Sequence, residues 1–309
     1  MTLKTSLSVL ALCAATPALA QEDCNSVTFA DVGWTDITAT TAATSVVLDA
    51  LGYETDTKLL SVPVTYISLA EGDVDVFLGN WMPTMEADIA PYREAGTVDT
   101  VRANLEGAKY TLAVNKAAAD AGIKTFADIA THADALNGEI YGIEPGNDGN
   151  RLILDMIAAD AFGLKDFKVV ESSEQGMLAQ VERADGRDTP IVFLGWEPHP
   201  MNAKFDMTYL EGGDDWFGPD LGGATVYTNT HAGYVAACPN VGKLLENLSF
   251  TLPMENEIMG AILNDNADPE VAAAAWLKAN PDAWAGWLDG VTTLDGGDAK
   301  TAVEAKLNG

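Results

Sequence analysis

The sequence predicts an α/β fold, with mainly parallel sheets flanked by helices and the chain divided between two lobes. Short apolar runs rich in Val, Ile and Phe alternate with segments of helical periodicity from one end to the other, which is the pattern of strand–helix–strand units. The chain has 309 residues, 48% of them hydrophobic, enough to bury more than one core. No coiled-coil repeat, low-complexity tract or long linker interrupts the alternation.

The elements follow in order. SVTFADV reads as a strand, and ITATTAATSVVLDALGY after it carries apolar residues at helical spacing. TKLLSVPV, VTYISLAEG and VDVFLGNW come next, then the helical PTMEADIAPYREAG with Pro83 near its start. EIYGIEPG runs into the helical NRLILDMIAADAFGL. FKVVESS, the helical QGMLAQVERA and IVFLGW continue the alternation. GYVAACP reads as strand-like, and AAAAWLKANPDAWAGWLDG as helices packed on a lobe.

The first twenty residues have the form of a secretory leader: Lys4, an apolar middle, and an Ala-x-Ala ending at Ala20. Their apolar stretch is too short to span a bilayer. The expected product is an exported protein, with the periplasm as its compartment. No lipid anchor is expected, because Cys13 follows Leu12 and Cys24 follows Asp23, whereas lipoprotein processing needs a small residue before the cysteine. Removing the leader leaves Cys24 and Cys238. In an oxidising compartment such a pair reads as one disulfide, the alternative being two buried thiols.

The formal charge is −29, and loss of Lys4 with the leader makes it −30. That balance argues against nucleic acid and anionic membranes as partners. It suits solubility, and it favours the approach of a cation.

Three tryptophans stand where turn residues are expected. Trp81 follows an apolar run in VFLGNWMP, Trp196 does so in VFLGWEPH, and Trp34 in TFADVGWTD. Turns favour Gly, Asn, Asp and Pro for backbone reasons, and an indole there has little core to fill. In open α/β sheets ligands bind beyond the carboxyl ends of strands. Trp34, Trp81 and Trp196 sit at such ends, and so does Asn147 in IEPGNDGN. Trp276, Trp284 and Trp287 read as packing, and Trp216 has no assigned role.

Converging indoles suit a quaternary ammonium group, which has no N–H to donate and must be held by dispersion and cation–π attraction. Each desolvated ring face contributes about 2 kcal/mol. A buried cation also needs a counter-charge. Asp36, two residues after Trp34, is the candidate, although an Asp before ITATTAATS is equally a helix N-cap.

With GWTD, GNWMP, KYTLAVNK, IEPGNDGNR, GWEPHPMNA and the pair Cys24 and Cys238, the chain from Cys24 to the C-terminal helices resembles the substrate-binding proteins of ABC importers for quaternary amines, the glycine betaine/choline superfamily, and within it the choline binders. The resemblance implies a two-lobed, type II periplasmic binding fold that closes by a hinge. It implies lobe I over 21–116 and 204–309, lobe II over 117–203, and hinge segments in YTLAVNK and AKFDMTYLE. Trp34, Trp81, Tyr110 and Trp196 would box the trimethylammonium head, Asp36 would supply the charge, and Asn147 would bond the hydroxyl of choline. Cys24 and Cys238 would form the disulfide. A monomer handing its ligand to a membrane permease is implied, with no cofactor and no metal.

The same cage would serve glycine betaine or proline betaine. Betaine binders often use Trp-x-Pro-His-Trp, whereas here WEPHP places Pro200 after His199. A zwitterion brings its own carboxylate and would not need Asp36, so choline is the expected ligand, with acetylcholine second. A secreted enzyme is the alternative from another class. Only His132, His199 and His231 are available to it, and no G-x-S-x-G, H-E-x-x-H, P-loop or G-x-G-x-x-G stretch occurs. A ligand-sensing partner for a membrane receptor would use the same site.

Overall fold

The computed structural model describes residues 24–309; the leader expected over 1–20 lies outside them. Nine strands among these residues form one curled sheet: β1 (Ser26–Asp31), β2 (Glu54–Leu59), β3 (Val76–Met82), β4 (Val98–Asn115), β5 (Glu139–Tyr141), β6 (Lys168–Val170), β7 (Val192–Glu197), β8 (Met207–Tyr209) and β9 (Gly223–His231). Their order is β2-β1-β3-β9-β4-β7-β5-β6, with β8 also paired to β4.

The sheet is parallel at both ends and antiparallel in the middle. β1 pairs parallel with β2 and β3, and β5 with β6 and β7. Between them, β9 runs antiparallel to β3 and β4, and β4 antiparallel to β7 and β8. The antiparallel centre comes from β4 and β9, whose polar alternation (GATVYTNTH in β9) lacks the apolar runs that mark the parallel strands. β4 is 18 residues long and changes partner along its length. Its first part pairs with β9, with register shifts between Thr100 and Arg102 and again around Leu105. Its last part pairs with β7. Lys109 marks the exchange, facing both Gly223 and Glu197. Such shifts bend a strand, which lets one strand serve both ends of a curled sheet.

The helix Thr35–Leu51 is buried on nearly all sides, held among the C-terminal helices Leu252–Asp265, Pro269–Ala279 and Ala299–Asn308. Its Ala and Thr content suits that position, since small side chains admit close neighbours. The Thr40 and Thr44 hydroxyls are satisfied by donating to carbonyls one turn back, those of Asp36 and Thr40. The C-terminal tryptophans pack as expected: Trp284 and Trp287 are buried, and their indoles donate to the carbonyls of Leu277 and Ser249.

Cys24 and Cys238 form a disulfide, with Cα atoms 5.4 Å apart. GYVAACP is not a strand. Tyr234–Ala237 is a helical turn leading into Cys238, and Pro239 starts the helix Pro239–Asn247, as a proline in a first turn does.

Candidate functional site

Trp34, Trp81, Tyr110 and Trp196 converge, with Asp36 and Ile143, on one small cavity. The four rings come from four elements. Trp34 occupies the cap position of the helix Thr35–Leu51, just past β1. It is aimed by Gly33, whose φ of +83° is open to glycine and strained for other residues. The Gly33 N–H is held by Asp31 Oδ1 at 2.6 Å. Trp81 and Trp196 are each among the last two residues of their strands, β3 and β7, and each precedes an x-Pro bond in cis. Tyr110 lies on β4 directly opposite Trp196.

The rings meet edge to face. Tyr110 is 6.1 Å from Trp81 and 6.2 Å from Trp196 between centroids, at interplanar angles of 62° and 81°. All four rings are at most 5% exposed. The Tyr110 hydroxyl reaches the start of the helix Asp148–Ala158, where it donates to Asn147 Oδ1 at 3.5 Å. Gly149 makes that approach feasible, since a Cβ there would stand 2.0 Å from the hydroxyl oxygen.

Asp36 is not the helix cap. Trp34 holds that position, and Asp36 lies in the first turn among the residues that line the cavity. Its Oδ2 accepts the Trp81 indole N–H at 3.1 Å, and its Oδ1 has no hydrogen-bond partner. Burial, with the nearby Glu174 charge, pushes its carboxyl up to about 8. No Lys or Arg lines the cavity. A group that draws this carboxylate into its charged form must therefore come from outside the chain, and a cation does so.

Asn147 is not among the residues that line the cavity; it adjoins them through the Tyr110 hydroxyl. Its Oδ1 caps the helix Asp148–Ala158 by accepting the Asn150 N–H at 2.8 Å, and its amide nitrogen donates to the Glu144 carbonyl. His199 does not line the box either. Met201 N–H donates to its Nδ1 at 2.9 Å, which leaves Nε2–H to donate to Glu174 at 3.2 Å.

Three residues passed over in the sequence complete the site. Ile143 supplies an aliphatic wall. Glu144 accepts the Trp34 indole N–H at 2.8 Å, and burial pushes its carboxyl up to about 7. Glu174, buried at the start of the helix Glu174–Asp185, accepts both the N–H and the hydroxyl of Thr35. Arg151 makes a further long-range tie, bonding Asp88 at 2.7 Å and the Thr84 carbonyl at 3.0 Å. Among the described residues no cluster of His, Cys, Asp and Glu is arranged to hold a metal ion, and no helix is long and apolar enough to cross a membrane.

Comparison with known proteins gives a consistent answer. An ABC-transporter choline-binding protein solved in complex with choline is 70% identical, with a TM-score of 0.91 over 92% of this chain and 98% of that one. A choline-binding protein in an unliganded semi-closed conformation, also 70% identical, has a TM-score of 0.85 over 93% of this chain and 99% of that one. Lactococcal OpuAC, closed on glycine betaine, is 25% identical with a TM-score of 0.77 over 85% of this chain and 99% of that one. The glycine betaine/carnitine transport binding protein GbuC of Listeria monocytogenes is 31% identical over 54% of each chain. An uncharacterized protein, ORF1, of Chromohalobacter salexigens is 53% identical over 48% of this chain and 97% of its own length. The OpuAC model, described as the substrate binding domain of ABC-type glycine betaine transport system, matches residues 25–279. The chain belongs to that family of substrate-binding domains.

Proposed function

We propose that this protein captures choline outside the cytoplasm, in the periplasm, and delivers it to an ABC importer. The observation that carries this reading is the pairing of a four-ring box with a buried carboxylate, Asp36, in a lining that holds no basic residue. Three or four ring faces at about 2 kcal/mol each offset the desolvation of a trimethylammonium head, and Asp36 compensates its charge. The 70% identity to choline binders supports the same ligand.

Glycine betaine is the second reading. Its carboxylate would want several donors or a positive charge, and the groups around this box are Asp36, Glu144 and Glu174 instead. Asn147 stays in our reading as the partner of the choline hydroxyl, through the amide hydrogen that its bond to the Glu144 carbonyl does not use. Catalysis has no part in it.

The two-lobe arrangement belongs to the same reading. The exchange of partner along β4, from β9 to β7 at Lys109, supports a first crossing ahead of the boundary expected at 116, and β8 pairing with Ala113–Asn115 supports a return beyond Tyr209, past the one expected at 204. Trp34, Asp36 and Trp81 then face Tyr110, Ile143 and Trp196 across the cleft. The better match to the choline complex than to the semi-closed form supports a closed arrangement, in which a monomer would be read by its permease.

Calorimetry with choline, acetylcholine, glycine betaine and carnitine tests the ligand. Choline is expected to bind tightest, and tighter binding of glycine betaine would overturn the assignment. Recovery of acetylcholine unhydrolysed after incubation is expected as well.

A further inference from the structure

Two of the four rings in the box are attached to carboxylates through their indole N–H groups. Trp81 donates to Asp36, which lines the cavity, and Trp34 donates to Glu144, which does not. Glu144 is half-buried behind the Trp34 ring, 110 residues away in the chain. It is itself held in place: its carbonyl accepts the Asn147 amide and the Asn150 amide, the latter at 3.3 Å. The neighbouring Ile143 N–H and carbonyl are fixed by the Asn150 side chain at 3.0 and 3.1 Å.

This geometry has two effects. The hydrogen bond restrains the rotation of the Trp34 ring where it lines the cavity. An indole that donates its N–H to an anion also becomes more electron-rich, which strengthens the negative potential of that face and its attraction for a cation. A neutral acceptor in the same place would keep the first effect and lose the second.

We propose that Glu144 is a specificity-determining positioning residue: its carboxylate orients Trp34 and charges that indole, setting the preference of the box for a cation over a neutral ligand of the same shape. The inference rests on the reading of the box as a cation site. Glu144 acts through Trp34 and does not itself line the cavity.

The test compares choline with 3,3-dimethylbutan-1-ol, its uncharged isostere with carbon in place of nitrogen. Affinities are read by indole fluorescence at pH 8.5, where Glu144 is ionised. Glu144→Gln keeps an acceptor for the indole and removes the charge. It is expected to weaken choline about tenfold while leaving the isostere nearly unchanged, so the preference ratio falls about tenfold. Glu144→Ala releases the ring and is expected to weaken both ligands. An equal loss of both in Glu144→Gln, or no loss of either, would overturn the proposal. A wild-type protein that does not prefer choline to the isostere would overturn the cation box itself, and this inference with it.

Discussion

Thr35 gives both its backbone N–H and its hydroxyl to one carboxylate, that of Glu174, at 2.8 and 2.5 Å. The two residues are 139 positions apart, each at the start of a helix. An anion at a helix N-terminus is stabilised by the free N–H groups there, and Glu174 serves two such termini at once. Thr35 lies between Trp34 and Asp36, so this bond ties the box directly to the start of the helix Glu174–Asp185.

If that tie holds the closed form, Glu174→Gln should act on release. We expect choline affinity to fall by about 1–2 kcal/mol, the cost of weakening a charged hydrogen bond. Stopped-flow fluorescence should find the loss in a faster off-rate, with the on-rate little changed. A slower on-rate alone would contradict the latch.

Asp36→Asn separates charge from shape. The amide still fits the wall and can accept the Trp81 indole bond, but it offers no counter-charge. Choline should lose at least tenfold more affinity than glycine betaine in the same calorimetric series, a difference of about 1.4 kcal/mol or more. Equal losses would reduce Asp36 to a structural role.

The rings can be separated from the packing tryptophans. Trp81→Ala should weaken choline by about 2 kcal/mol or more, as loss of one desolvated ring face predicts. Trp276, which donates its indole N–H to Glu257 and lies outside the box, should leave choline affinity unchanged when replaced by Ala. Fluorescence titration of both variants is the check.

The carboxyls give a pH dependence of definite sign. Asp36 is raised from 3.8 to about 8 and Glu144 from 4.5 to about 7, burial being the main cause in both. Groups whose folded pKa is raised contribute stability below the unfolded value, and that contribution is lost as pH rises through the folded value. The unliganded protein should therefore melt at lower temperature at pH 8 than at pH 5, as far as these groups govern it. Choline favours the ionised forms, so its affinity and the melting shift it produces should grow over the same interval. Scanning fluorimetry with and without choline at each pH measures both.

The disulfide closes a loop of 214 positions between Cys24 and Cys238 and lies apart from the box. Replacing both cysteines by serine should cost about 2–5 kcal/mol of stability and leave choline affinity unchanged. Denaturant melts and titrations of the variant decide this.

Much of the site was legible in the sequence because an indole in a Gly-, Asn- and Pro-rich setting contradicts turn chemistry. Trp34, Trp81 and Trp196 announced themselves that way, and the strand–helix alternation set them at strand ends. Tyr110 was visible only through family resemblance. Its place depends on the register of β4 against β7, which neither strand's composition encodes. The central antiparallel pairing escaped for a related reason, since β9 alternates Thr and Asn with few apolar residues. Asp36 was balanced between cap and counter-charge until the structure put Trp34 at the cap. Glu144 and Glu174 went unnoticed because an acid beside a turn or in a first helical turn is ordinary in sequence. Only the long-range bonds to Trp34 and Thr35 distinguish them.

The unpartnered oxygen of Asp36 has a consequence for transport as a whole. Were the protein to shut on water alone, the Asp36 carboxyl would be buried without a counter-charge and would have to take up a proton, which is why burial raises its pKa. A bound cation removes that need. The binding site thus doubles as an inspector of its own cargo, penalising a shut but unloaded molecule. An importer that spends ATP on the shut form would be spared futile strokes.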